Sequence, residues 1–286
     1  MNQLNPDILA RIVAVAIEED VGAGDITTNS VIEKNRQAKA DIVLEEDCTV
    51  AGMPVAQLLY ETIDEDLDFQ KEVEDGKSVP KGSVIVRLHG SARSILTGER
   101  IALNFLQRLS AIATLTSQFV AKTKQFGTKI MDTRKTTPGL RYLEKCAVRV
   151  GGGSNHRMGL YDMFLIKDNH LCALAGEKSP AIATAIERAR KFNPNVQVEI
   201  EVENLQELEQ AIRAQPDMVL LDNMPVEEIS GAVKMAQGEV VLEASGGVTL
   251  DNVEEIARTG VDCISVGALT TAARAINMKM ELTEWV

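Results

Sequence analysis

The chain has 286 residues, 45% of them hydrophobic, enough for one large domain or two modest ones, each with its own core. A net charge of −12 and an aromatic content of 3% argue against nucleic-acid binding, which calls for basic surface and stacking rings. No apolar run is long enough to span a bilayer, and the start MNQLNPDILARIVAVAIEED lacks a basic lead and a cleavable signal pattern, so a cytoplasmic protein without membrane attachment is the default expectation. Cys48, Cys146, Cys172 and Cys263 form no CxxC pair and read as reduced, mostly buried thiols. With only three histidines and no clustered Cys/His ligands, a zinc site is not expected.

Along the chain, residues 5–19 carry Ile8, Ile12, Val15 and Ile17 at helical spacing. Residues 37–53 and 68–95 read as short strands, with turns at Glu74-Asp-Gly76 and Pro80-Lys-Gly82. A long apolar helix is predicted over 96–126. Its Arg100, Asn104, Gln107 and Arg108 share one face, either a solvated stripe or the lining of a site or subunit contact. From residue 129 short apolar runs (129–131, 163–166, 196–202, 218–221, 240–242 and 263–266) are followed by helical segments near 181–192, 205–214, 225–236 and 250–259. Such alternation predicts an α/β fold with a parallel sheet, open or closed into a barrel.

Polar residues follow nearly every predicted strand: Asp132-Thr-Arg-Lys135, Lys167-Asp-Asn-His170, Asp222-Asn223, Glu243-Ala-Ser-Gly-Gly247 and Gly267-Ala-Leu-Thr270. This favours a (β/α) barrel, whose active site lies at the C-terminal strand ends; six strands make it incomplete. The segment from Met131 to His170 concentrates Arg134, Lys135, Arg141, Lys145, Arg149, His156, Arg157 and Lys167 around Gly151-Gly-Gly153. A cationic cluster in an acidic chain suggests a site for a small, heavily anionic ligand.

The run Val196-Gln-Val-Glu-Ile-Glu-Val-Glu203 alternates strictly, so Gln197, Glu199, Glu201 and Glu203 face away from the apolar set. Pointed at a barrel axis, they need Arg134, Lys135, Lys167 or a bound cation as partners; an exposed edge strand is the alternative. Ser245-Gly246-Gly247 before a helix, with Gly267 after the next strand, suits phosphate, although Ser-Gly-Gly alone could be a plain turn. Arg134 and Arg157, with Arg100, suit a compact dicarboxylate. Lys135, Lys167 and the glycine loops would take phosphates, leaving Glu201 and Asp222 for hydroxyls or a magnesium ion. No Ser-His-Asp or Cys-His nucleophile is apparent.

These residues resemble the quinolinate phosphoribosyltransferase family. The matching segments, in order, are Glu18-Glu-Asp-Val-Gly-Ala-Gly-Asp-Ile-Thr27, Glu99-Arg-Ile-Ala-Leu-Asn-Phe-Leu-Gln107, Asp132-Thr-Arg-Lys-Thr-Thr-Pro-Gly139, Gly151-Gly-Gly-Ser-Asn-His-Arg157, Leu165-Ile-Lys-Asp-Asn-His170, Glu201 with Leu221-Asp-Asn223, and Glu243-Ala-Ser-Gly-Gly247. The resemblance implies an N-terminal α/β sandwich domain over 1–112, joined by 272–286, and an incomplete parallel (β/α) barrel over 113–271. It implies a homodimer or larger homo-oligomer that joins quinolinate to phosphoribosyl pyrophosphate with Mg2+, releasing pyrophosphate and carbon dioxide and yielding nicotinate mononucleotide. Carried over by motif, Arg134, His156 and Arg157 hold the quinolinate carboxylates, and Lys135 and Lys167 sit where both substrates meet. Arg100 is lent by the neighbouring subunit. Glu201 and Asp222 handle ribose hydroxyls and metal, and Ser245, Gly246, Gly247 and Gly267 bind phosphate, with Lys135, Glu201 and Asp222 as the catalytic set.

Two positions depart from the family: Ala111 where glycine is expected, and Thr271 where many relatives carry histidine. Rival readings are an altered-acceptor relative of the molybdenum-transport-linked kind, a Schiff-base lyase built on Lys167, and a non-catalytic scaffold. The intact Arg134, His156 and Arg157 set, the paired glycine loops and the complete charged rim argue against each in turn.

Overall fold

The computed structural model describes residues 5–174 and 181–285; residues 1–4 of the N-terminal signal reading and residue 286 of the expected segment 272–286 lie outside that range. Two units are distinguished, one of Met1–Leu115, Thr137–Gly152 and Ala272–Val286, the other of Thr116–Thr136 and Gly153–Thr271.

The first unit opens with helix α1 (Pro6–Asp20), which starts where Asn5 Oδ1 accepts the Asp7 N–H at 3.0 Å and Pro6 supplies a preset φ. Helix α2 (Ile26–Val31) starts at Asp25, whose carboxylate accepts the Thr28 N–H at 2.9 Å. The Thr28 hydroxyl and N–H hold Asp25 below the ordinary carboxylate range. The acidic glycine-rich segment ending at Thr27 thus serves locally as a junction between two helices. Strand β1 (Gln37–Leu44) is followed by β2 (Cys48–Thr49), α3 (Met53–Ile63), β3 (Asp68–Lys71), β4 (Ser78–Val79) and β5 (Val84–Ser91). The C-terminal strand Met278–Trp285 pairs antiparallel with β1, giving the order C-terminal strand, β1, β5, β3; β2 pairs separately with β4. Ala38, Ala40, Ile42 and Leu44 alternate with more exposed residues along β1, as a sheet with one buried face requires. They share the core of this unit with Leu59 and Tyr60 of α3 and with Ile95, Leu103 and Leu106 of the next helix.

That helix, α4 (Ala92–Thr123), begins before the predicted residue 96 because Ser91 Oγ accepts the Ser94 N–H at 3.3 Å and starts the helix. It runs on from Leu115 into the second unit and ends in a 3-10 turn, Lys124–Phe126. The departing residue Ala111 is buried in it. Its polar stripe divides: Arg100 and Asn104 are exposed, Gln107 donates to the Met278 carbonyl at 3.1 Å, and Arg108 pairs with Glu144 at 2.9 Å.

Arg141, Lys145 and Arg149 of the cationic segment all stand on helix α5 (Arg141–Val150). All three lie in the first unit, Lys145 is fully buried, and Arg149 donates to Cys146 Sγ at 3.1 Å. Glu144 of α5 is also fully buried; besides Arg108 it accepts the Thr137 hydroxyl at 2.8 Å and the Thr137 N–H at 3.1 Å.

The second unit is a six-stranded sheet with the order β6-β11-β10-β9-β8-β7, every pairing parallel. Its strands are β6 (Lys129–Met131), β7 (Phe164–Ile166), β8 (Val198–Val202), β9 (Met218–Asp222), β10 (Val241–Ser245) and β11 (Cys263–Ser265). Between and after them lie helices α6 (Asp168–Cys172), α7 (Ala181–Phe192), α8 (Leu205–Ala214), α9 (Val226–Ala236), α10 (Val253–Arg258) and α11 (Ala268–Thr271). The order ends at β6 and β7, an incomplete (β/α) barrel; Ser154 forms an isolated bridge with Met131 beside β6. Two aspartates staple the N-terminal ends of strands: Asp217 accepts the Val198 N–H at 2.6 Å and Asp262 the Leu242 N–H at 2.9 Å. Stability is provided at that end, leaving the opposite ends for chemistry.

Among the described residues no helix is long and apolar enough to cross a membrane. All four cysteines are free; Cys48 and Cys263 are buried, and burial pushes each thiol up to about 11.

Replacing Arg108 with methionine strands the buried Glu144 carboxylate without its cation and should cost about 3–5 kcal/mol. Urea denaturation of Arg108→Met against wild type measures this; a loss below about 1 kcal/mol would show that the Thr137 donors alone satisfy Glu144.

Candidate active site

Parallel register brings the strand ends of the second unit level. Asp222 lies opposite Ser245, Ser245 opposite Ser265, and Ser265 opposite Met131. Arg134 and Lys135 therefore follow β6, Lys167 follows β7, Glu201 is the fourth residue of β8, Asp222 ends β9, Ser245-Gly246-Gly247 leaves β10 and Gly267 follows β11. The structure brings all of these, with His156 and Arg157, into one unit; Arg100 belongs to the other, exposed on α4.

The carboxylates of β8 form a gradient of depth. Glu199 is fully buried, Glu201 half-buried, and Glu203, just beyond the strand, exposed. Glu201 Oε2 meets Lys167 Nζ at 2.7 Å, one of the partners that the alternation of the strand called for. Glu199 instead meets His156, whose Nε2 is 2.9 Å from its Oε2 and 3.5 Å from Oε2 of Glu243. Glu243 is also fully buried. The sequence reading placed it beyond the end of a strand, but β10 runs on to Ser245 and turns Glu243 into the core. On the other side of the imidazole, Nδ1 accepts the Arg157 N–H at 2.7 Å. That donor leaves Nδ1 as an acceptor, so the ring proton sits on Nε2, facing the glutamates. The backbone of His156 is fixed by Asp132, which ends fully buried and whose Oδ1 accepts the His156 N–H at 2.9 Å while Asn155 donates to Oδ2.

His156, Glu199 and Glu243 are the one group of His, Cys and carboxylate ligand atoms within 4.8 Å of one another among the described residues. With a proton on Nε2, the cluster is arranged to hold a proton rather than a cation. Burial, reinforced by Glu199 and Asp132 and opposed by His156 and the Ser265 hydroxyl, pushes the Glu243 carboxyl up to about 7. Beyond His156 and Ser265 its oxygens meet no donor among the described residues, as suits a carboxyl that is neutral over much of the acidic range.

Above this layer lie the cations. Arg157 donates to the Met163 carbonyl at 3.2 Å, and burial followed by repulsion from Arg134 lowers its pKa. Two guanidinium groups held close enough to repel one another define a place for an anion. Lys167 is set by a local motif: His170 Nδ1 accepts the Lys167 N–H at 2.9 Å, the three-residue spacing of a capping box at the start of α6. Lys135 is clamped at its backbone by Thr270, whose hydroxyl donates to the Lys135 carbonyl at 2.6 Å. Gly267 gives the same lysine room, since a Cβ there would lie 3.2 Å from Lys135 Cδ. Thr271, where histidine was expected, donates its hydroxyl to the Gly267 carbonyl at 3.1 Å. Asp222 Oδ2 accepts from Asn223 Nδ2 at 2.9 Å. Among the described residues Glu201 Oε1 and Asp222 Oδ1 have no protein partner, so each can offer a hard oxygen to a divalent cation.

Sequence reasoning missed Asp132, Asn223 and Thr270 as positioning groups and the burial of Glu243. A carboxylate inside an apolar strand was the available signal for Glu243; the others act through hydrogen bonds that no spacing announces.

An open parallel α/β sheet with arginines, lysines and carboxylates at its C-terminal strand ends defines an enzyme site for small anionic substrates. Residues 25–110 match the quinolinate phosphoribosyl transferase N-terminal domain and residues 112–281 the C-terminal domain. The chain belongs to the quinolinate phosphoribosyltransferase family. It is 40% identical over 266 residues to the probable nicotinate-nucleotide pyrophosphorylase (carboxylating) of Bacillus subtilis, covering 93% of this chain and 90% of that one. It is 37% identical to a quinolinate phosphoribosyltransferase (decarboxylating) of Nicotiana tabacum, covering 96% of this chain and 82% of that one. The solved nicotinate-nucleotide pyrophosphorylase of Francisella tularensis superimposes with a TM-score of 0.93 at 41% identity, over 99% of this chain and 98% of that one.

An unfolded glutamate releases its proton near 4.5, whereas folded Glu243 keeps its proton up to about 7. The stability contributed by protonation is thus complete below the unfolded value and is lost as pH rises through the folded one. Glu243→Gln, which stays neutral, should gain stability relative to wild type between pH 5 and pH 8. A thermal-melt difference that stays flat across that range would mean that Glu243 is already ionised at pH 5.

Proposed function

We propose that this protein transfers the phosphoribosyl group of phosphoribosyl pyrophosphate to quinolinate with loss of carbon dioxide, forming nicotinate mononucleotide and pyrophosphate. The observation that carries the reading is the adjacency of two anion-seeking arginines, Arg134 and Arg157, to a rim that also holds the Lys167–Glu201 pair and Asp222. Arg134 and Arg157 bind the quinolinate carboxylates, and the His156 imidazole, committed to the buried glutamates, holds the Arg157 backbone beneath them. Lys135 and Lys167 lie between acceptor and donor. Ser245, Gly246, Gly247 and Gly267 offer backbone N–H groups to phosphate. Glu201 and Asp222 bind the ribose hydroxyls and offer their remaining oxygens to Mg2+, which when bound neutralises charge on the pyrophosphate.

The pyridine nitrogen attacks the anomeric carbon as the bond to pyrophosphate breaks and the electron pair leaves with the pyrophosphate oxygen. Positive charge develops on the ribose, where Glu201 and Asp222 stabilise it. The nitrogen, now quaternary, draws in the electron pair released when the adjacent carbon–carboxylate bond breaks. The Lys135 ammonium stabilises the resulting ring carbanion until that carbon takes up a proton. The exposed Arg100 is lent to the site of a neighbouring subunit in a homodimer or larger assembly, and the protein works in the cytoplasm.

The direct test mixes the protein with Mg2+, phosphoribosyl pyrophosphate and quinolinate labelled in the carboxylate next to the ring nitrogen. Labelled carbon dioxide should appear only when phosphoribosyl pyrophosphate is present. Pyrophosphate release with another acid and none with quinolinate would turn the reading towards a different acceptor. Lys135→Ala should lower kcat by on the order of 100-fold or more with a much smaller change in quinolinate affinity. Equal losses in both would reduce Lys135 to a substrate-holding group. Mixing inactive Arg100→Ala with inactive Lys135→Ala should restore part of the activity, and failure after demonstrated subunit exchange would argue against a shared site.

A further inference from the structure

Three non-glycine residues among those described have positive φ. Gln215 and Gln237 are the residues that close helices α8 and α9, an ordinary place for left-handed backbone. Asn223, at φ 53°, closes no helix. It follows the last residue of β9, directly after Asp222, where a strained backbone needs another cause.

Three contacts supply that cause. The Asn223 N–H donates to the Ser245 carbonyl at 2.8 Å, which ties the end of β9 to the end of β10. The Asn223 amide donates to Asp222 Oδ2 at 2.9 Å. The other end of that amide fills the space over Gly246: a Cβ on Gly246 would lie 2.1 Å from Asn223 Oδ1 and 2.6 Å from Cγ. The absence of a side chain at Gly246 is thus used by Asn223, whatever its backbone does for phosphate. Asn223 is exposed as a residue, yet its amide nitrogen donates to Asp222 and its amide oxygen lies over Gly246.

We infer that Asn223 is a positioning residue: its left-handed backbone, locked by Ser245 and Gly246, turns its amide onto one oxygen of Asp222 and so aims the other at the phosphoribosyl donor and its cation. The inference rests on the assignment of Asp222 under the proposed function. Neighbours of this kind set the rotamer and basicity of a ligand carboxylate without touching substrate, and losing one typically costs about 10–100-fold in affinity or activity.

Asn223→Gly separates positioning from plain structure, because glycine relieves the positive φ while removing the amide. The variant should melt at or above the wild-type temperature. Its affinity for phosphoribosyl pyrophosphate with Mg2+, measured by calorimetry without quinolinate, should fall about 10-fold or more. Quinolinate affinity should be unchanged. If Asn223 acts through Asp222, then in an Asp222→Asn background the further change Asn223→Gly should have no additional effect. Wild-type affinity in Asn223→Gly, additive losses in the double variant, or a melting temperature that falls in step with affinity would each overturn the inference. Wild-type protein that does not bind phosphoribosyl pyrophosphate would overturn the functional reading and the inference with it; wild-type binding with an unaffected variant would overturn the inference alone.

Discussion

Everything at the site depends on the in-register parallel pairing of the central strands. A parallel ladder fixes where each strand stops relative to its neighbour, so the Asp222–Ser245–Ser265–Met131 line determines the height of every side chain that follows. The staples Asp217 and Asp262 hold that ladder from the opposite ends. A slip of one residue in β8 would exchange Glu199, Glu201 and Glu203 with the fully buried Val198, Ile200 and Val202, placing carboxylates in the apolar layer. The hydrophobic pattern therefore enforces the register, and the register places the chemistry.

Below the rim the same ladder buries an unusual group of charges. Asp132, Glu199 and Glu243 are fully buried around a single imidazole. Such a cluster is costly unless protons and donors are shared, and here they are: Asn155 and the His156 N–H serve Asp132, the imidazole serves Glu199, and Glu243 keeps a proton. The arrangement ties three strands and the loop carrying Arg157 into one unit, giving the arginine a rigid footing that a solvated loop would lack.

The six strands were legible because fully buried parallel strands are written as short Val/Ile/Leu runs, and the rim residues because they follow those runs. Helix α5 was not legible. Its buried positions include Glu144 and Lys145, and charges at core positions break the apolar period that marks a helix. The same blindness placed Glu243 outside its strand: a carboxylate after Val-Val-Leu looks like the end of a strand, and only its environment shows otherwise. At the site, residue types with direct chemistry were readable from their order. Asn223 and Thr270 were not, because their roles come from a backbone angle and a hydroxyl reaching a carbonyl far away in sequence.

The sheet of the second unit also tapers. Strands β8, β9 and β10 have five residues each, whereas β6 and β7 at its two ends have three. An open sheet exposes unpaired backbone groups along its borders, which can recruit strands from other chains during synthesis or after stress. Borders this short offer few such groups, and Ser154 occupies part of the one along β6, donating to the Ile130 carbonyl at 2.8 Å and accepting from Asp132 at 3.1 Å. Leaving the barrel unclosed therefore adds little risk of self-association through its edges, and the fold can keep an opening on one side without becoming a template for aggregation.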